Sequence, residues 1–267
     1  MTKIAVVVYS SYNHILSLSK SEIEGARSAG VQVDAFQIPS SEPLDASAKS
    51  NLPEITPELL TQYDGVLFGV PTRFGSMPYA VKAFIDRTAS QWTTGGFYGK
   101  YVGVFVSTGT PNGGQETTVR NLLSIFTHHG MLYVPLGYRD AFPEITDLNE
   151  FHGGSPWGAG TYAGADGSRQ VTDLEHKIAR IQGEQFAKTV LKATSSTAGA
   201  PGTAAPAPKA TTSSSAPATK ASTQAANTTA TRATADAAAA KPAAAPAAAV
   251  KAEEKKEGRC FGCCVIS

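Results

Sequence analysis

Gly65-Val66-Leu67-Phe68-Gly69-Val70 runs straight into Pro71-Thr72-Arg73-Phe74-Gly75, and the pair decides the fold class. The first stretch is short, apolar and unbroken, as a strand covered on both faces of a parallel sheet should be. Open α/β sheets bind ligands beyond the carboxyl ends of their strands, so a hydroxyl, a guanidinium and an aromatic ring delivered there point to a cofactor loop. Taken alone, the loop also fits a plain turn with a solvated Arg73, or an Arg73 paired with a carboxylate such as Asp86.

Similar apolar runs recur at residues 4–9, 31–37, 101–107 and 131–134. Between them Ile15, Leu18, Ser19, Glu22, Ile23 and Ala26 mark one face of a first helix. Further helical stretches cover about 78–89 and 115–129, and a last one carries Leu174, Ile178, Ile181 and Phe186. Five strands alternating with helices predict a flavodoxin-like, doubly wound parallel sheet in the order 2-1-3-4-5. Residues 137–171 are Gly-rich and without a clear period, and read as one long functional loop.

Two more loops follow strands in the same way. Ser10-Ser11-Tyr12-Asn13-His14-Ile15 leads into the first helix, where hydroxyls and the unpaired N–H groups of a helix start suit a phosphate. It carries neither a Gly-x-Gly-x-x-Gly fingerprint nor a Walker lysine, and the serines also fit plain helix capping. Ser107-Thr108-Gly109-Thr110-Pro111-Asn112-Gly113-Gly114-Gln115-Glu116 closes the fourth strand with glycines that let backbone approach a planar ligand. Three polar loops converging on one switch point predict a phosphate-bearing aromatic cofactor.

The chain has 267 residues and a formal net charge of +1, which gives no footprint for nucleic acid. Its start lacks the long apolar core and cleavage site of a signal peptide. No run approaches the ~18 apolar residues of a membrane span, so the expectation is a soluble domain made in the cytosol. Composition changes near Ala193, and three parts are predicted: a globular domain over 1–193, a disordered linker rich in Ala, Ser, Thr, Pro and Lys over 194–259, and a cysteine-rich end over 260–267.

All three cysteines, Cys260, Cys263 and Cys264, lie in that end, so neither a disulfide nor a cysteine metal site is expected in the domain, and no metal site is expected at all. The terminal Cys264-Val265-Ile266-Ser267 fits the prenylation pattern, its Ser pointing to farnesyl. One lipid anchors weakly, and the nearby lysines are opposed by Glu253, Glu254 and Glu257, so acylation of Cys263, and then Cys260, supplies the second signal. A flexible linker of this length reaches about 45 Å, which places the domain at the cytoplasmic face of a membrane, the plasma membrane, with a cytosolic pool.

The motifs resemble those of the WrbA family of flavodoxin-like NAD(P)H:quinone oxidoreductases, in particular its fungal members. They include the 71–75 loop, Ser107-Thr108-Gly109-Thr110, Gly113-Gly114-Gln115-Glu116, His128-His129-Gly130-Met131, Val134-Pro135-Leu136-Gly137-Tyr138, Gly153-Gly154-Ser155-Pro156-Trp157-Gly158-Ala159-Gly160 and Asp166-Gly167-Ser168-Arg169, in order.

The resemblance implies FMN as cofactor, NADH or NADPH as donor and a quinone as acceptor, in a ping-pong, two-electron reduction with an antioxidant role at a membrane. By resemblance, Ser10, Tyr12, Asn13, His14 and Ile15 hold the FMN phosphate, and Tyr12 also meets the nicotinamide nucleotide. Pro71, Thr72, Arg73, Phe74 and Gly75 lie beside the isoalloxazine, and Ser107, Thr108, Gly109, Thr110 and Gly113 wrap its other edge. His128 corresponds to a flavin-site histidine, and Trp92 to an aromatic wall of the quinone pocket. The family forms dimers and tetramers that complete the pocket across subunits.

Other readings of single residues stand beside these. Helix capping explains one of His128 and His129, and an anchor in core or interface explains Trp92. A flavodoxin-type electron carrier and a tethered scaffold with little turnover are the competing functions. Two departures from the family bear on FMN: Asn13 stands at a usual Gly, and the 110–115 segment is one residue longer, with Pro111. Asn tolerates a left-handed backbone, whereas the insertion threatens the flavin contacts.

Overall fold

The computed structural model describes residues 1–40 and 50–197. The lipidation cysteines, and the linker beyond Thr197, lie outside the described residues. Among the described residues no helix is long and apolar enough to cross a membrane.

Strands β1 (Lys3–Val8), β2 (Gln32–Gln37), β3 (Gly65–Pro71), β4 (Tyr101–Thr108) and β5 (Leu132–Tyr133) form a parallel sheet in the order β2-β1-β3-β4-β5. The decisive run is its centre: β3 pairs with β1 from Ile4↔Gly65 to Val8↔Gly69 and with β4 from Gly65↔Tyr101 to Pro71↔Ser107, and is buried throughout. A sixth strand, β6 (Gly160–Tyr162), was not anticipated. It pairs with the far end of β4, Val106↔Gly160 to Thr108↔Tyr162, while β5 pairs with its near end at Tyr101 and Val102. The fifth position of the sheet is thus shared by two short strands, and the segment between them is an insertion in that strand.

Alternation along β1 sends side chains to two cores. Ala5 and Val7 join Val66, Phe68 and Val104 under α3 (Tyr79–Asp86) and α5 (Gln115–His128). Ile4, Val6 and Val8 join Leu67 and Phe105 under α1 (His14–Ser28) and α7 (Asp173–Thr197). Three short helices complete the domain: α2 (Pro57–Leu60), α4 (Ala89–Thr94) and α6 (Phe142–Ile145). The sequence places residues 194–197 in the linker; they instead continue α7.

The α7 layer packs closely because glycines leave room for it. A Cβ on Gly65 would lie 3.0 Å from the Phe186 ring, and one on Gly103 3.1 Å from it, so the two empty positions on β3 and β4 seat that ring. Gly183 of α7 lies so near Glu22 of α1 that a Cβ would sit 2.1 Å from its carbonyl oxygen.

Candidate functional site

The loops after β1, β3 and β4 meet at the carboxyl ends of their strands around a cavity of about 280 Å³. From the first loop it is lined by Ser10, Ser11, Tyr12, His14 and Ile15. Asn13 takes the left-handed conformation there (φ 66°), which turns the chain into α1, and its own side chain lies outside the cavity lining. The hydroxyl of Ser10 is buried and has no hydrogen-bond partner among the described residues. A buried hydroxyl without a partner costs about 1–3 kcal/mol, so this one marks a place for a ligand acceptor.

The loop after β3 supplies Pro71, Thr72 and Arg73. Arg73 does not pair with Asp86, which is held by Lys82; its guanidinium donates to Ser11 Oγ (3.0 Å) and to the Thr72 carbonyl (3.0 Å), tying the loop after β1 to the loop after β3. Thr118 donates its proton to the Gly114 carbonyl (2.9 Å), so the 2.9 Å contact between Thr72 and Thr118 uses the Thr72 proton and leaves Thr72 Oγ1 as an acceptor. Arg73 and Ser76 exchange both backbone bonds (2.7 and 2.9 Å) around Phe74 (φ 52°) and Gly75 (φ 71°), a tight turn with both central residues left-handed. The turn leaves the Phe74 ring fully exposed, and neither Phe74 nor Gly75 lines the cavity.

The loop after β4 supplies Ser107, Thr108 and Gly109. Thr110 and Gly113 do not line the cavity: the Gly113 N–H donates to the Thr110 carbonyl (3.0 Å), which closes a turn whose tip, Pro111-Asn112, is exposed. The extra residue is therefore taken up on the outside, and the threat it posed falls on residues that do not face the cavity. Gly114 (φ 92°) then comes within 3.1 Å, by its would-be Cβ, of Gly75 Cα, so the second and third loops touch through two glycines.

A fourth wall was not anticipated. Ala163, Gly164, Ala165, Asp166 and Gly167, which follow β6, complete the lining. Gly164 N donates to the Gly109 carbonyl (3.0 Å) and Ala163 N to the Thr108 carbonyl (2.8 Å). Asp166 is exposed, and bonds from the Ser168 backbone N–H and then its hydroxyl hold its carboxyl below the usual range. His14 is also tied to this wall: only the ring N–H can donate to a carbonyl, so its Nε2, 2.7 Å from the Arg169 oxygen, carries the proton. The His14 side chain is thus a strut, and any role in phosphate binding falls to its backbone.

His128 and Trp92 are not brought to this cavity within one chain. Gln115 begins α5 beside Thr108, and His128 ends that helix about 20 Å further on, at the opposite ends of the strands. Trp92, in α4, is mostly exposed. His129 is seated by its Nε2, which donates to Thr88 Oγ1 (2.9 Å), and by an edge contact with Phe97; burial and then the charge of His128 lower its pKa.

Three buried polar side chains to which sequence reasoning gave no role hold the loops in place. Gln115 donates to the Thr161 carbonyl (3.0 Å) and accepts from Gly154 N (3.0 Å). Gln182 accepts from Ala159 N (2.6 Å) and donates to the Val104 carbonyl (3.0 Å). Glu175, fully buried, accepts from four segments at once. Glu175, Ile178, Gln182 and Phe186 recur at helical spacing on one face of α7, and polar residues within that apolar stripe were the available signal.

The NADPH-dependent FMN reductase family model matches residues 10–139. NAD(P)H quinone oxidoreductase PST2 of Candida albicans is 53% identical over 194 residues, covering 70% of this chain and 96% of that protein. PST1 of the same organism is 52% identical, over 71% and 98%. NAD(P)H quinone oxidoreductase YCP4, also of Candida albicans, is 48% identical over 71% of this chain but only 68% of its own. Among solved structures, the WrbA-like flavodoxin of Agrobacterium tumefaciens superposes with a TM-score of 0.52 at 21% identity, covering 72% of this chain and 99% of that one, a likeness of fold.

Proposed function

The chain belongs to the family of the Candida albicans NAD(P)H quinone oxidoreductases, and on that premise we propose that it is an FMN-dependent enzyme reducing quinones with electrons from NADH or NADPH. The observation that carries the cofactor is the unpartnered, buried Ser10 hydroxyl at the start of α1, set among the Ser11 and Tyr12 side chains and the Arg73 guanidinium. Donors of this kind beside a helix N-terminus fit the phosphate of FMN. Thr72, Ser107, Thr108 and Gly109 would then face the ring system, with backbone and hydroxyl groups for its polar edges.

FMN, when bound, supplies the two-electron chemistry that links nucleotide to quinone, in the ping-pong order of substrates. The protein's share is to orient and to exclude water. Arg73 supplies fixed positive charge between two loops, Thr72 an acceptor, and the Phe74 ring an apolar cover free to meet a planar substrate.

His128 and Trp92 act in a neighbouring copy's site, in a dimer or tetramer. Farnesylation at Cys264 with acylation at Cys263 and Cys260 holds the enzyme at the cytoplasmic face of the plasma membrane, where it reduces membrane quinones as an antioxidant.

Titration of the apo protein with FMN, followed by nucleotide oxidation with and without quinone, tests the activity. Ser10→Ala is expected to weaken FMN binding about tenfold. A wild type that neither binds FMN nor oxidises either nucleotide in the presence of quinone overturns the reading. For the anchor, wild type and Cys264→Ser are fractionated; equal partition to the membrane pellet rules it out.

A further inference from the structure

The 163–169 segment belongs to no role assigned so far, yet it forms a wall of the cavity and is held by an unusual centre. Glu175, in the first turn of α7, is fully buried and accepts from Gly153 N (2.9 Å), Thr161 Oγ1 (2.8 Å), Thr172 N (3.0 Å) and the Arg169 guanidinium (3.0 and 3.1 Å). Arg169 is itself largely buried: it donates to the Tyr162 carbonyl (2.7 Å) and the Phe151 carbonyl (2.9 Å) and lies within 6.0 Å of both of those rings. The Arg169 backbone closes the wall, its N–H on the Ala163 carbonyl (2.9 Å) and its own carbonyl on His14 Nε2 (2.7 Å). One carboxylate thus fixes, through one arginine, both the wall that follows β6 and the first residue of α1.

We propose that Glu175 is a positioning residue that gives the site its preference for a phosphorylated flavin, by holding Arg169 so that the Arg169 carbonyl locks His14 at the helix start where the phosphate is bound. This rests on the FMN reading above. The chemistry is that of preorganisation: phosphate recognition by backbone donors needs the first turn of α1 at a fixed place relative to the opposite wall, and a strut of two hydrogen bonds and an ion pair supplies it. The isoalloxazine ring and its ribityl chain depend less on that strut, because the wall beside them is also held by Ala163 N on the Thr108 carbonyl (2.8 Å) and Gly164 N on the Gly109 carbonyl (3.0 Å), bonds in which Glu175 takes no part. Loss of the strut therefore weakens FMN more than riboflavin, whereas a merely structural loss weakens both alike.

The test measures dissociation constants of FMN and of riboflavin for the full-length apo protein, as wild type, Glu175→Gln and Arg169→Lys, with the thermal midpoint of each apo form recorded beside them. Glu175→Gln is expected to weaken FMN about tenfold and riboflavin less than about threefold, and Arg169→Lys to act in the same direction less strongly. Parallel weakening of the two flavins, or unchanged FMN binding, overturns the proposal. If Glu175→Gln does not fold, Arg169→Lys decides by the same ratio. A wild type that fails to bind FMN overturns the cofactor reading and this one with it, while a wild type that binds FMN and variants that bind it equally well overturn this one alone.

Discussion

At the scale of single residues, the most telling conformation is that of Phe74. A bulky residue at φ 52° is strained, and it stands at the tip of the 73–76 turn with its ring fully exposed. Stability alone would favour Gly there. Phe74→Gly is expected to stabilise the fold by about 1 kcal/mol while raising the KM for quinone, measured by urea unfolding and steady-state kinetics. A stabilised variant with unchanged KM would remove the ring from the substrate site.

Glu22 is the second residue with a cost: it is buried between α1 and α7, neither oxygen has a partner among the described residues, and burial pushes its pKa well above 4.5. Its raised value means that the folded state keeps a proton the unfolded chain releases. Its favourable contribution is present in acid and is lost as pH rises through the folded value. Glu22→Gln should accordingly gain stability over wild type progressively from about pH 5 upward. His129, with its lowered pKa, acts in the opposite sense near its ordinary 6.5, and cancels in that difference. A wild-type-to-variant gap that stays constant with pH would refute the assignment.

At the scale of elements, β1, β3 and β4 were legible because each is a nearly continuous apolar run, and α1, α5 and α7 because each carries one apolar face. β6 was not: Gly160-Thr161-Tyr162 has no period, and it becomes a strand only because β4 offers it an unpaired edge beyond β5. Long-range pairing of that kind leaves no local mark. The seat of Phe186 on Gly65 and Gly103 shows how elements are matched across layers, and its value is measurable. Phe186→Ala should cost about 3–5 kcal/mol in urea unfolding, whereas Leu132→Ala on the half-exposed β5 should cost under about 1 kcal/mol. Similar losses for both would mean that α7 does not rest on that ring.

At the scale of the whole molecule, the cavity lies at one end of the sheet, while His128 and the exposed Trp92 and Tyr98 lie at the other. If a second copy brings them to the cavity, the protein sediments as a dimer or larger, its specific activity falls on dilution, and His128→Ala lowers turnover without unfolding the chain. A monomer with full activity at every dilution would sink the shared site.

The sequence by itself determined the order of the five main strands and the three loops at the carboxyl ends of β1, β3 and β4, because apolar period, glycine and helix-start chemistry are local and leave local marks. Only the tertiary structure decided which of those loop residues face the cavity, that Arg73 bridges to Ser11 rather than to Asp86, that the Pro111 insertion points outward, and that residues 163–167 and buried Glu175 complete the wall. These depend on contacts between segments as far apart as His14 and Arg169, where the partner of a polar group is chosen by what folding brings beside it.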